Sequence, residues 1–512
     1  MRKRKRVELE PYEEGTQVYG VVEKPARRLR LAYVAIPVGV ALAVVLFAVL
    51  PPVAAPPPRA AAGTQAKTEA SPSPTQSVLA TVSYVGTPSP AIQTATAPPL
   101  TEAHTTAVHT TAQIATTTPS TAPLSEIPIA SCMNITKPGY YYLAKDIVGA
   151  QPGKDYCILI DSDNVTIDGR GHVVVPGRGK SAVKIGGFRA GVVIRNVIVE
   201  NADDGINGRL ENCVIEGSRF TTFRHGVNIG ARNCVIRNNE FVRTGLWLWL
   251  WYSWNNTVVN NVVNGKPLFY IEGRRGVVVE NVDVGQVIVV GSEDVVLRGL
   301  RISNTSIAVV LYNVTNATIE NGSLFYNGIG VLVVASKNVV ILNSTVKENA
   351  GGIGVLNSST VILSGNKILE NEDAVLLIAN FSKITQNVVV ANRRGIYLER
   401  ATYNTISDNR IINNTEYGIY LYLSAKNKIY NNLFFNYINA VVQESEYNSW
   451  NTEPQKGRNI LGGLWVGGNA WLSPDGRGCS QICRDRDGDG ICEDSCKIDE
   501  QNVDYFPLKH ST

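Results

Sequence analysis

The sequence predicts an all-β protein whose largest domain is a right-handed parallel β-helix of about 13 coils. An aliphatic residue, followed two positions later by a residue that is usually Asn or Gly, recurs 13 times between Ile167 and Ile429. The 12 steps between these two residues cover 262 positions, so the mean period is about 22 residues. Repeats of this length bury their apolar faces by stacking on their neighbours, as in a solenoid. The aliphatic residues are Ile167, Ile194, Ile215, Ile236, Val259, Val279, Leu297, Ile319, Ile341, Leu363, Ile384, Ile406 and Ile429.

The residues around each aliphatic position predict short strands separated by a corner. Two positions after it, all but two of the side chains are Asn or Gly, which best tolerate a left-handed backbone. Apolar residues two before and five after it fit strands with a period of two. Gly-Ile or Gly-Val pairs roughly ten residues earlier predict another strand. The fixed leucines of leucine-rich repeats and the longer period of helical repeats are both missing, which favours the β-helix.

Composition divides the rest of the chain into four further segments. We predict a basic cytoplasmic tail over residues 1–30, a transmembrane helix over 31–50, a stalk over 51–126, the β-helix over 127–460 and a Cys-rich cap over 461–512. Residues 31–50 carry no charge and are long enough to span a bilayer as a helix. The stalk is dominated by Ala, Thr, Pro and Ser, a composition that cannot bury a core and predicts disorder.

Charge predicts which side of the membrane the β-helix occupies. Nine Lys or Arg and five Glu lie in the predicted tail, so the positive-inside rule keeps this end in the cytoplasm. A cleaved signal peptide is the alternative. The remaining 39 basic and 39 acidic residues balance, which argues against nucleic acid as a ligand. We expect a single-pass cell-membrane protein with an extracytoplasmic β-helix, and its 11 Asn-x-Ser/Thr sequons fit a glycoprotein or simply follow from Asn-rich corners.

All eight cysteines follow the stalk, as expected on the oxidising side of a membrane. Cys132 and Cys157 flank the start of the β-helix and can clamp its first coil. Cys213 and Cys234 are 21 residues apart, so we expect them on adjacent coils, either as a disulfide or as small apolar residues of the core. Four further cysteines bracket an acidic loop and favour two disulfides over a four-thiolate zinc site. These four are Cys479, Cys483, Cys492 and Cys496.

The acidic loop near the C-terminus predicts a bound calcium ion. Carboxylates at alternate positions, followed by Gly490, supply the oxygen ligands and the sharp turn that a hard cation requires. Cys496 stands where an EF-hand has its bidentate Glu, so the loop is not an EF-hand. It resembles the Asp-rich loops of type-3 thrombospondin repeats, which implies a structural role; an empty acidic turn is the alternative. The candidate ligands are Asp485, Asp487, Asp489, Ile491, Glu493 and Asp494.

One pair of coils carries a candidate catalytic group. Asp203 and Asp204 precede Arg224 and His225 by 21 residues, so stacking should place them side by side. Paired carboxylates with a nearby His suit glycoside hydrolysis, one as acid and one as base. The segment resembles the Asp-Asp and His-Gly motifs of polygalacturonases over about 30 residues. We favour the alternative, an ion-pair ladder of Asp203 with Arg224 and Asp204 with His225.

A run of alternating Leu and Trp is the second candidate site. On a strand, Leu246, Leu248 and Leu250 face the core and the intervening Trp side chains face outward. Exposed aromatic rows are costly without a partner, and flat rings suit sugar faces. Burial under a cap, a loop or a neighbouring subunit is the alternative. The candidate carbohydrate-binding residues are Trp247, Trp249 and Trp251, with Tyr397, Tyr420 and Tyr422 as a second row that ordinary surface also explains.

Over about residues 130–508 the chain resembles the NosD-like proteins, of the carbohydrate-binding and sugar hydrolase type, in a layout similar to archaeal surface proteins. The repeat phrase, the segment Gly468-Asn-Ala-Trp471, the Asp-rich loop and the closing Asp504-Tyr-Phe-Pro507-Leu508 carry the resemblance. The family's name implies periplasmic copper handling. Copper sites cluster Cys, Met or His, whereas Met133 is the only Met beyond Met1 and the His residues are dispersed.

We therefore expect a membrane-anchored cell-surface β-helix that binds glycans or the cell envelope. A polysaccharide hydrolase or lyase acting through Asp203, Asp204 and His225 is the first alternative. A structural envelope protein or a NosD-like copper-maturation factor is the second. The repeat identifies the fold strongly and an activity hardly at all.

Overall fold

The computed structural model describes residues 125–510 and a two-residue strand at Ser83–Tyr84. The predicted tail, the predicted transmembrane segment and nearly all of the predicted stalk lie outside the described residues. In the described part of the chain, no helix is long and apolar enough to cross a membrane. The described chain is a right-handed parallel β-helix of about 14 turns, which confirms the predicted fold.

Strands of 2 to 14 residues alternate with short corners along the β-helix. Strand β1 (Ser83–Tyr84) precedes the first coil in the chain and pairs antiparallel with the later strand Arg275–Glu280. In the first coils the strands are β2 (Glu126–Ile129), β3 (Asn134–Ile135), β4 (Gly139–Leu143), β5 (Ile147–Val148), β6 (Tyr156–Ile160), β7 (Val165–Asp168), β8 (Val173–Val175), β9 (Gly177–Ala190), β10 (Val193–Arg195), β11 (Ile198–Glu211), β12 (Val214–Glu216), β13 (Arg219–Arg232), β14 (Val235–Arg237), β15 (Glu240–Phe241), β16 (Leu246–Leu248), β17 (Thr257–Val259), β18 (Val262–Val263) and β19 (Lys266–Glu272). In the later coils they are β20 (Arg275–Glu280), β21 (Gln286–Val290), β22 (Glu293–Arg298), β23 (Arg301–Ser303), β24 (Ile307–Tyr312), β25 (Thr315–Glu320), β26 (Ser323–Phe325), β27 (Ile329–Val334), β28 (Lys337–Leu342), β29 (Thr345–Lys347), β30 (Gly351–Ser359), β31 (Ile362–Ser364), β32 (Lys367–Leu369), β33 (Asp373–Asn380), β34 (Lys383–Thr385), β35 (Val388–Val390), β36 (Arg394–Glu399), β37 (Thr405–Ser407), β38 (Arg410–Ile412), β39 (Tyr417–Tyr422), β40 (Lys428–Tyr430), β41 (Leu433–Phe435) and β42 (Ala440–Gln443). The C-terminal segment adds β43 (Gln455–Lys456), β44 (Trp465–Val466), β45 (Ala470–Leu472), helix α1 (Cys479–Ile482), β46 (Cys496–Lys497) and β47 (Val503–Asp504).

Parallel sheets join each coil to the next. A seven-stranded sheet runs β2-β4-β7-β10-β12-β14-β17, an eight-stranded sheet runs β23-β26-β29-β32-β35-β38-β41-β45, and most other strands belong to a 28-stranded sheet. Ile194 lies opposite Ile167 and Ile215, and Ile341 lies opposite Ile319 and Leu363. The aliphatic residues of the repeat thus form a buried column at the centre of the core.

The predicted column is wrong at one position. Val258, not Val259, pairs with Ile236 in the next coil, and Val258 is buried whereas Val259 is 43% exposed. Because Val258 and Val259 have the same side chain, the sequence pattern could not tell which of the two faces the core. The irregularity falls where β17 ends the seven-stranded sheet and β20 continues the stack in another one.

The predicted left-handed corners are present at 11 of the 13 positions. They include Gln386 and Asp408, the two that are neither Asn nor Gly. At the other two, Gly169 and Asn261, the left-handed residue is a direct neighbour, Arg170 or Asn260.

Buried asparagines form ladders that run from coil to coil. In each step the Nδ2 of one Asn donates to the Oδ1 of the Asn one coil later, as Asn371 does to Asn392 at 2.9 Å. The same Oδ1 accepts the backbone N–H of Asn371 at 2.8 Å, and Asn371 Nδ2 also donates to the carbonyl of Val346 at 3.0 Å. Most of these residues directly follow a left-handed corner rather than forming it, so the sequence analysis missed them. The ladders are Asn239–Asn261, Asn327–Asn349–Asn371–Asn392–Asn414–Asn436, Asn366–Asn387–Asn409–Asn432–Asn469 and Asn404–Asn427–Asn448.

Four disulfides fasten the β-helix at its start, in its wall and in its cap. Cys132–Cys157 clamps the first coil, and Cys213–Cys234 joins adjacent coils with a Cα–Cα distance of 4.5 Å. The disulfide alternative for the latter pair is therefore the correct one. The acidic loop is bracketed by two disulfides, as predicted, and not by a zinc site. The loop disulfides are Cys479–Cys496 and Cys483–Cys492.

The C-terminal segment closes the last coil. β45 adds to the eight-stranded sheet beside β41, and Asn469 receives the final hydrogen bond of one Asn ladder from Asn432. Trp471 stacks on Phe434 of the last coil, and its Nε1 donates to the buried carboxylate of Asp504 at 2.8 Å. The cap therefore continues the core rather than forming a separate one.

Candidate functional site

The candidate catalytic residues and the start of the Trp segment lie on three strands of consecutive coils. Strand β13 pairs with β11 on one side and with β16 on the other. Asp204 lies opposite His225, and Asn228 lies opposite both Asn207 and Trp247. A Cβ at Gly205 would meet the carbonyl oxygen of Gly226 at 2.2 Å, so glycine is needed where the strand closes on the next coil. The one-period spacing therefore predicted the Asp204 and His225 neighbours correctly.

Asp204 is held by amides rather than by a cation. Its Oδ2 accepts hydrogen bonds from Asn207 Nδ2 at 2.7 Å and Asn228 Nδ2 at 3.0 Å. Its Oδ1 is buried and has no partner within the described part of the chain. No ion pair joins Asp204 to His225 in that part either, so this half of the predicted ion-pair ladder is wrong. A buried carboxylate oxygen without a partner is costly in the folded state, which makes Asp204 a candidate ligand-binding residue.

His225 is partly buried and lies against the ring of Trp247, with the ring centroids 6.2 Å apart. Burial lowers the pKa of His225 to about 4, although the negative charge of Asp204 acts in the opposite direction. The imidazole is therefore neutral at neutral pH. Its Nδ1 is buried and unpartnered among the described residues. The ring thus offers a hydrogen-bonding group without a charge.

Asp203 lies apart from this pair. Its Oδ1 accepts the backbone N–H of Gly179, on the preceding coil, at 2.8 Å. Asp203 is partly buried, whereas Asp204 is buried. The structure thus brings Asp204 and His225 together and engages Asp203 with β9.

The predicted burial of the three leucines is confirmed, whereas the predicted exposure of the three tryptophans is only partly correct. Leu246, Leu248 and Leu250 are buried, as predicted. Trp247 is only 5% exposed and lies against His225, so the alternative of burial is correct for this ring and its predicted exposure is wrong. The other two rings remain accessible to different degrees: Trp249 is partly buried and Trp251 is 48% exposed.

Trp249 is tied to the polar cluster. Its Nε1 donates to Asn228 Oδ1 at 2.7 Å, and Asn228 in turn donates to Asp204. This chain of hydrogen bonds connects a partly exposed indole to the carboxylate of Asp204. We call Asp204, Asn207, His225, Asn228 and Trp249 the acid–indole surface.

A second polar and aromatic surface lies on β33, β36 and β39. Tyr397 stacks on Tyr420 with ring centroids 5.1 Å apart, and the Tyr420 hydroxyl donates to Gln443 Oε1 at 2.5 Å. Beside them, Arg394 Nε lies 2.6 Å from Asp373 Oδ1. Burial raises the pKa of Asp373 to about 6, even though Arg394 lowers it. The tyrosines were predicted from the sequence, whereas Asp373 and Arg394 were not, although these two residues are one period apart like Asp204 and His225.

The acidic loop gathers three of its predicted ligands. Asp485, Asp487 and Asp489 each place a carboxylate oxygen within 4.8 Å of the others. The predicted ligands Glu493 and Asp494 are engaged elsewhere: Glu493 accepts the backbone N–H of Arg486 at 2.6 Å, and Asp494 forms an ion pair with Arg484. An all-oxygen donor set of this kind fits a hard cation such as calcium and does not fit a soft metal.

Comparison with known protein families gives a match over part of the chain. Residues 269–476 match the family described as NosD, periplasmic copper-binding protein. This part contains the Tyr397 surface and excludes the acid–indole surface. No curated protein matches the chain.

Several solved structures are similar in fold. The A-module of mannuronan C-5 epimerase AlgE4 from Azotobacter vinelandii is 14% identical, with a TM-score of 0.29, covering 63% of this chain and 84% of that one. The surface adhesin PfbA of Streptococcus pneumoniae is 11% identical, with a TM-score of 0.28, covering 62% and 91%. A mannuronic acid specific family 6 polysaccharide lyase from human gut microbiota is 12% identical, with a TM-score of 0.27, covering 64% and 79%. At these identities and TM-scores the likenesses carry no information on what this chain binds.

Proposed function

Given that this chain carries a NosD-like β-helix over residues 269–476, we propose that the protein is an extracytoplasmic glycan-binding β-helix whose ligand contacts the acid–indole surface. The four disulfides support an oxidising, extracytoplasmic compartment. Anchoring through the uncharged segment 31–50, with the N-terminus inside, is part of the same proposal and lies outside the described residues.

The hydrogen-bond chain from Trp249 through Asn228 to Asp204 carries the proposal. It connects a partly exposed aromatic ring to a carboxylate that has one buried, unpartnered oxygen. Sugars present apolar C–H faces and hydroxyl groups side by side, so they require both features from one surface. Because the chain of hydrogen bonds already fixes these groups, little ordering cost remains on binding.

We test the proposal with a polysaccharide panel scored for both binding and product release. Trp249→Ala removes the ring, and Asp204→Asn replaces the free carboxylate oxygen with an amide. We expect each to weaken binding about tenfold or more, since each removes a hydrogen bond or an aromatic contact. Tyr437→Ala is the control, because Tyr437 is an aromatic residue that is 86% exposed and lies on the last coil. Unchanged binding in both Trp249→Ala and Asp204→Asn contradicts the proposal.

A polysaccharide hydrolase or lyase is the second candidate function. The neutral, unpartnered imidazole of His225 next to Asp204 favours it, since a proton acceptor and a carboxylate then lie on adjacent coils. Product release that is lost in Asp204→Asn, with binding retained, would establish the enzyme. Binding without product in the same panel rejects it.

We also propose that Asp485, Asp487 and Asp489 hold a structural calcium ion, with the carbonyl of Ile491 as a further candidate ligand. The three converging carboxylates and the two flanking disulfides support this. Its role is to stiffen the loop, so we expect no direct part in glycan binding.

A further inference from the structure

Two arginines on adjacent coils flank the far end of the acid–indole surface. Arg209 is exposed on β11, and Arg232 is partly buried on β13. Along these strands, Asn207 and Arg209 follow Asp204 on one coil, and Asn228 and Arg232 follow His225 on the next. From Asp204 to Glu211 along β11, the surface is roughly 20 Å long.

Aromatic rings fix the positions of both guanidinium groups. The Cζ atom of Arg232 lies 3.8 Å from the ring centroid of Trp254 and 4.1 Å from that of Tyr252. The Cζ atom of Arg209 lies 5.8 Å from the Tyr252 centroid. Trp254 itself is 45% exposed, so one ring of this platform remains open to a ligand. Stacked guanidinium groups keep their N–H edges free for a further partner.

Neither arginine forms an ion pair within the described residues. Glu211 lies opposite Arg232 in register, yet the two charged groups are not paired there. Other arginines of the same coils are neutralised one coil away, and the Nε of Arg232 is a buried donor with no partner in the described region. The neutralised pairs are Arg195–Asp168, Arg219–Glu240 and Arg237–Glu216.

Gly230 lets the rings of Tyr252 and Trp249 pack closely against the backbone of β13. It follows Asn228 on β13, in the row of Arg209, and a Cβ there would meet the rings of Tyr252 at 2.8 Å and Trp249 at 3.2 Å. The row therefore has a floor of backbone and aromatic ring between Trp249 and Arg209. This floor makes the arginine pair and the acid–indole surface one continuous strip.

Resting on the proposed glycan-binding function, we infer that the ligand is a carboxylated polysaccharide whose carboxylates bind Arg209 and Arg232. Planar guanidinium groups match planar carboxylates with two parallel hydrogen bonds, which neutral sugars cannot form. The balanced charge of the exported chain gives no broad attraction for nucleic acid, so recognition depends on this local pair.

The test compares polygalacturonate, alginate and hyaluronan with the carboxyl-reduced forms of the same polymers, using the full-length chain. We expect the carboxylated polymers to bind at least tenfold more tightly than the reduced forms, and the preference to weaken at high salt. Arg209→Gln should remove most of that preference. Arg232→Lys keeps the charge and loses the planar fork, so it should weaken the preference with less risk to packing than Arg232→Gln. Arg301→Gln is the matched control, an exposed arginine with no ion pair in the described part of the chain.

The outcomes separate this inference from the proposed function. Equal binding of acidic and reduced forms, sensitive to Trp249→Ala, overturns the carboxylate inference and keeps the glycan surface. If none of the six polymers binds, the inference is overturned, and the wider panel of neutral polysaccharides then tests the proposed function. Binding of a single-stranded DNA probe that depends on Arg209 and Arg232, without binding of acidic polymers, also overturns it. A preference unchanged in Arg209→Gln and Arg232→Lys does the same.

Discussion

A single buried amide stabilises three consecutive coils at once. Asn371 accepts two hydrogen bonds from Asn349 and donates to Asn392 and Val346. Asn371→Ala leaves the backbone N–H of Asn349 without its acceptor, a buried group that costs about 1–3 kcal/mol when unsatisfied. It also removes one of the two hydrogen bonds of Asn349 Nδ2, which keeps the carbonyl of Leu324. We expect a large loss in the free energy of unfolding, measured by chemical denaturation. Asn134→Ala, at an exposed side chain, should change it by no more than about 0.5 kcal/mol; equal effects would contradict the ladder's role.

Asp504 makes the stability of the cap depend on pH. Burial raises its pKa to about 7, ahead of the hydrogen bonds that lower it. The folded state then holds more protons than the unfolded state between about pH 4 and pH 7. The free energy of unfolding therefore falls as pH rises through this window, by up to about 1.4 kcal/mol per pH unit, and levels off above it.

Denaturation midpoints at pH 5, 6, 7 and 8 check this expectation. Asp504→Asn should flatten the dependence that Asp504 contributes, while Asp373, whose pKa burial raises to about 6, keeps its own share with the same sign. Asp475→Asn, at an exposed carboxylate, is the control and should keep the wild-type profile. The same profile in Asp504→Asn would remove Asp504 as the cause.

His225 should stay neutral across the physiological range. Because burial lowers its pKa to about 4, an NMR titration of its ring should have a midpoint near 4, with His225→Gln identifying the signal. The folded pKa lies below the unfolded value, so the stability that His225 contributes is full above about pH 6.5 and is lost as pH falls towards 4. Glycan binding should then not vary with this group between pH 5.5 and 8. A midpoint between 6 and 7 would place His225 in water.

Residue positions were predictable from the sequence where periodicity alone fixed them. A separation of one repeat period made Asp204 and His225 neighbours, and left-handed corners followed from Asn and Gly. The partners of side chains were not predictable in the same way. Asp204 pairs with amides from its own coil and the next, and Trp247 is covered by His225, because both depend on how side chains turn on the surface.

The acidic loop is the element whose stability should depend on a metal ion. We expect calcium to raise the thermal midpoint and a chelator to lower it, since an ion bound only by the folded loop stabilises it by mass action. Asp487→Asn should abolish this response, and Asp475→Asn, just before helix α1, should not. Atomic emission on the purified protein gives the metal content. Unchanged content and midpoint after chelation would reject the site.

Elements outside the regular period were the least predictable part of the chain. The turn from Trp249 to Tyr252 leaves the period, and Trp254 returns to it opposite Arg232. The Tyr252 ring of this turn packs with Arg232 and Arg209 on earlier coils. A repeat pattern cannot predict the position of a turn that departs from the repeat. The presence of two cap disulfides, by contrast, was predictable from the four cysteines and an oxidising compartment. Their pairing was not, because four neighbouring cysteines allow more than one connectivity.

At the scale of the whole molecule, coils should be removable in units of one period. Deleting residues 344–365 removes one complete coil and brings Asn366 into the place of Ser344, so Ile341 can pair with Ile384. We expect a soluble protein with one cooperative unfolding transition and unchanged binding at the acid–indole surface, because coils interact with their neighbours only.

Deleting half a coil, residues 344–354, is the matched control. It moves every later strand by half a turn, so core residues face solvent and we expect no cooperative transition, measured by circular dichroism and calorimetry. Equal stability of the two deletions would contradict the nearest-neighbour description. The overall fold was predictable from the sequence for the same reason that this test is possible: one local rule repeats along the chain.

The cap that follows the last coil also decides how long the stack can grow. Each coil presents to the next a row of backbone groups and a line of asparagine amides, the same pattern that lets identical strands add to a fibril end without limit. Asn469 and β45 occupy that growing end, and Trp471 and Asp504 hold them in place. We therefore expect the C-terminal segment to keep the last coil from stacking on a second copy of the chain, so that a repeat with no length limit of its own gives a molecule of defined length.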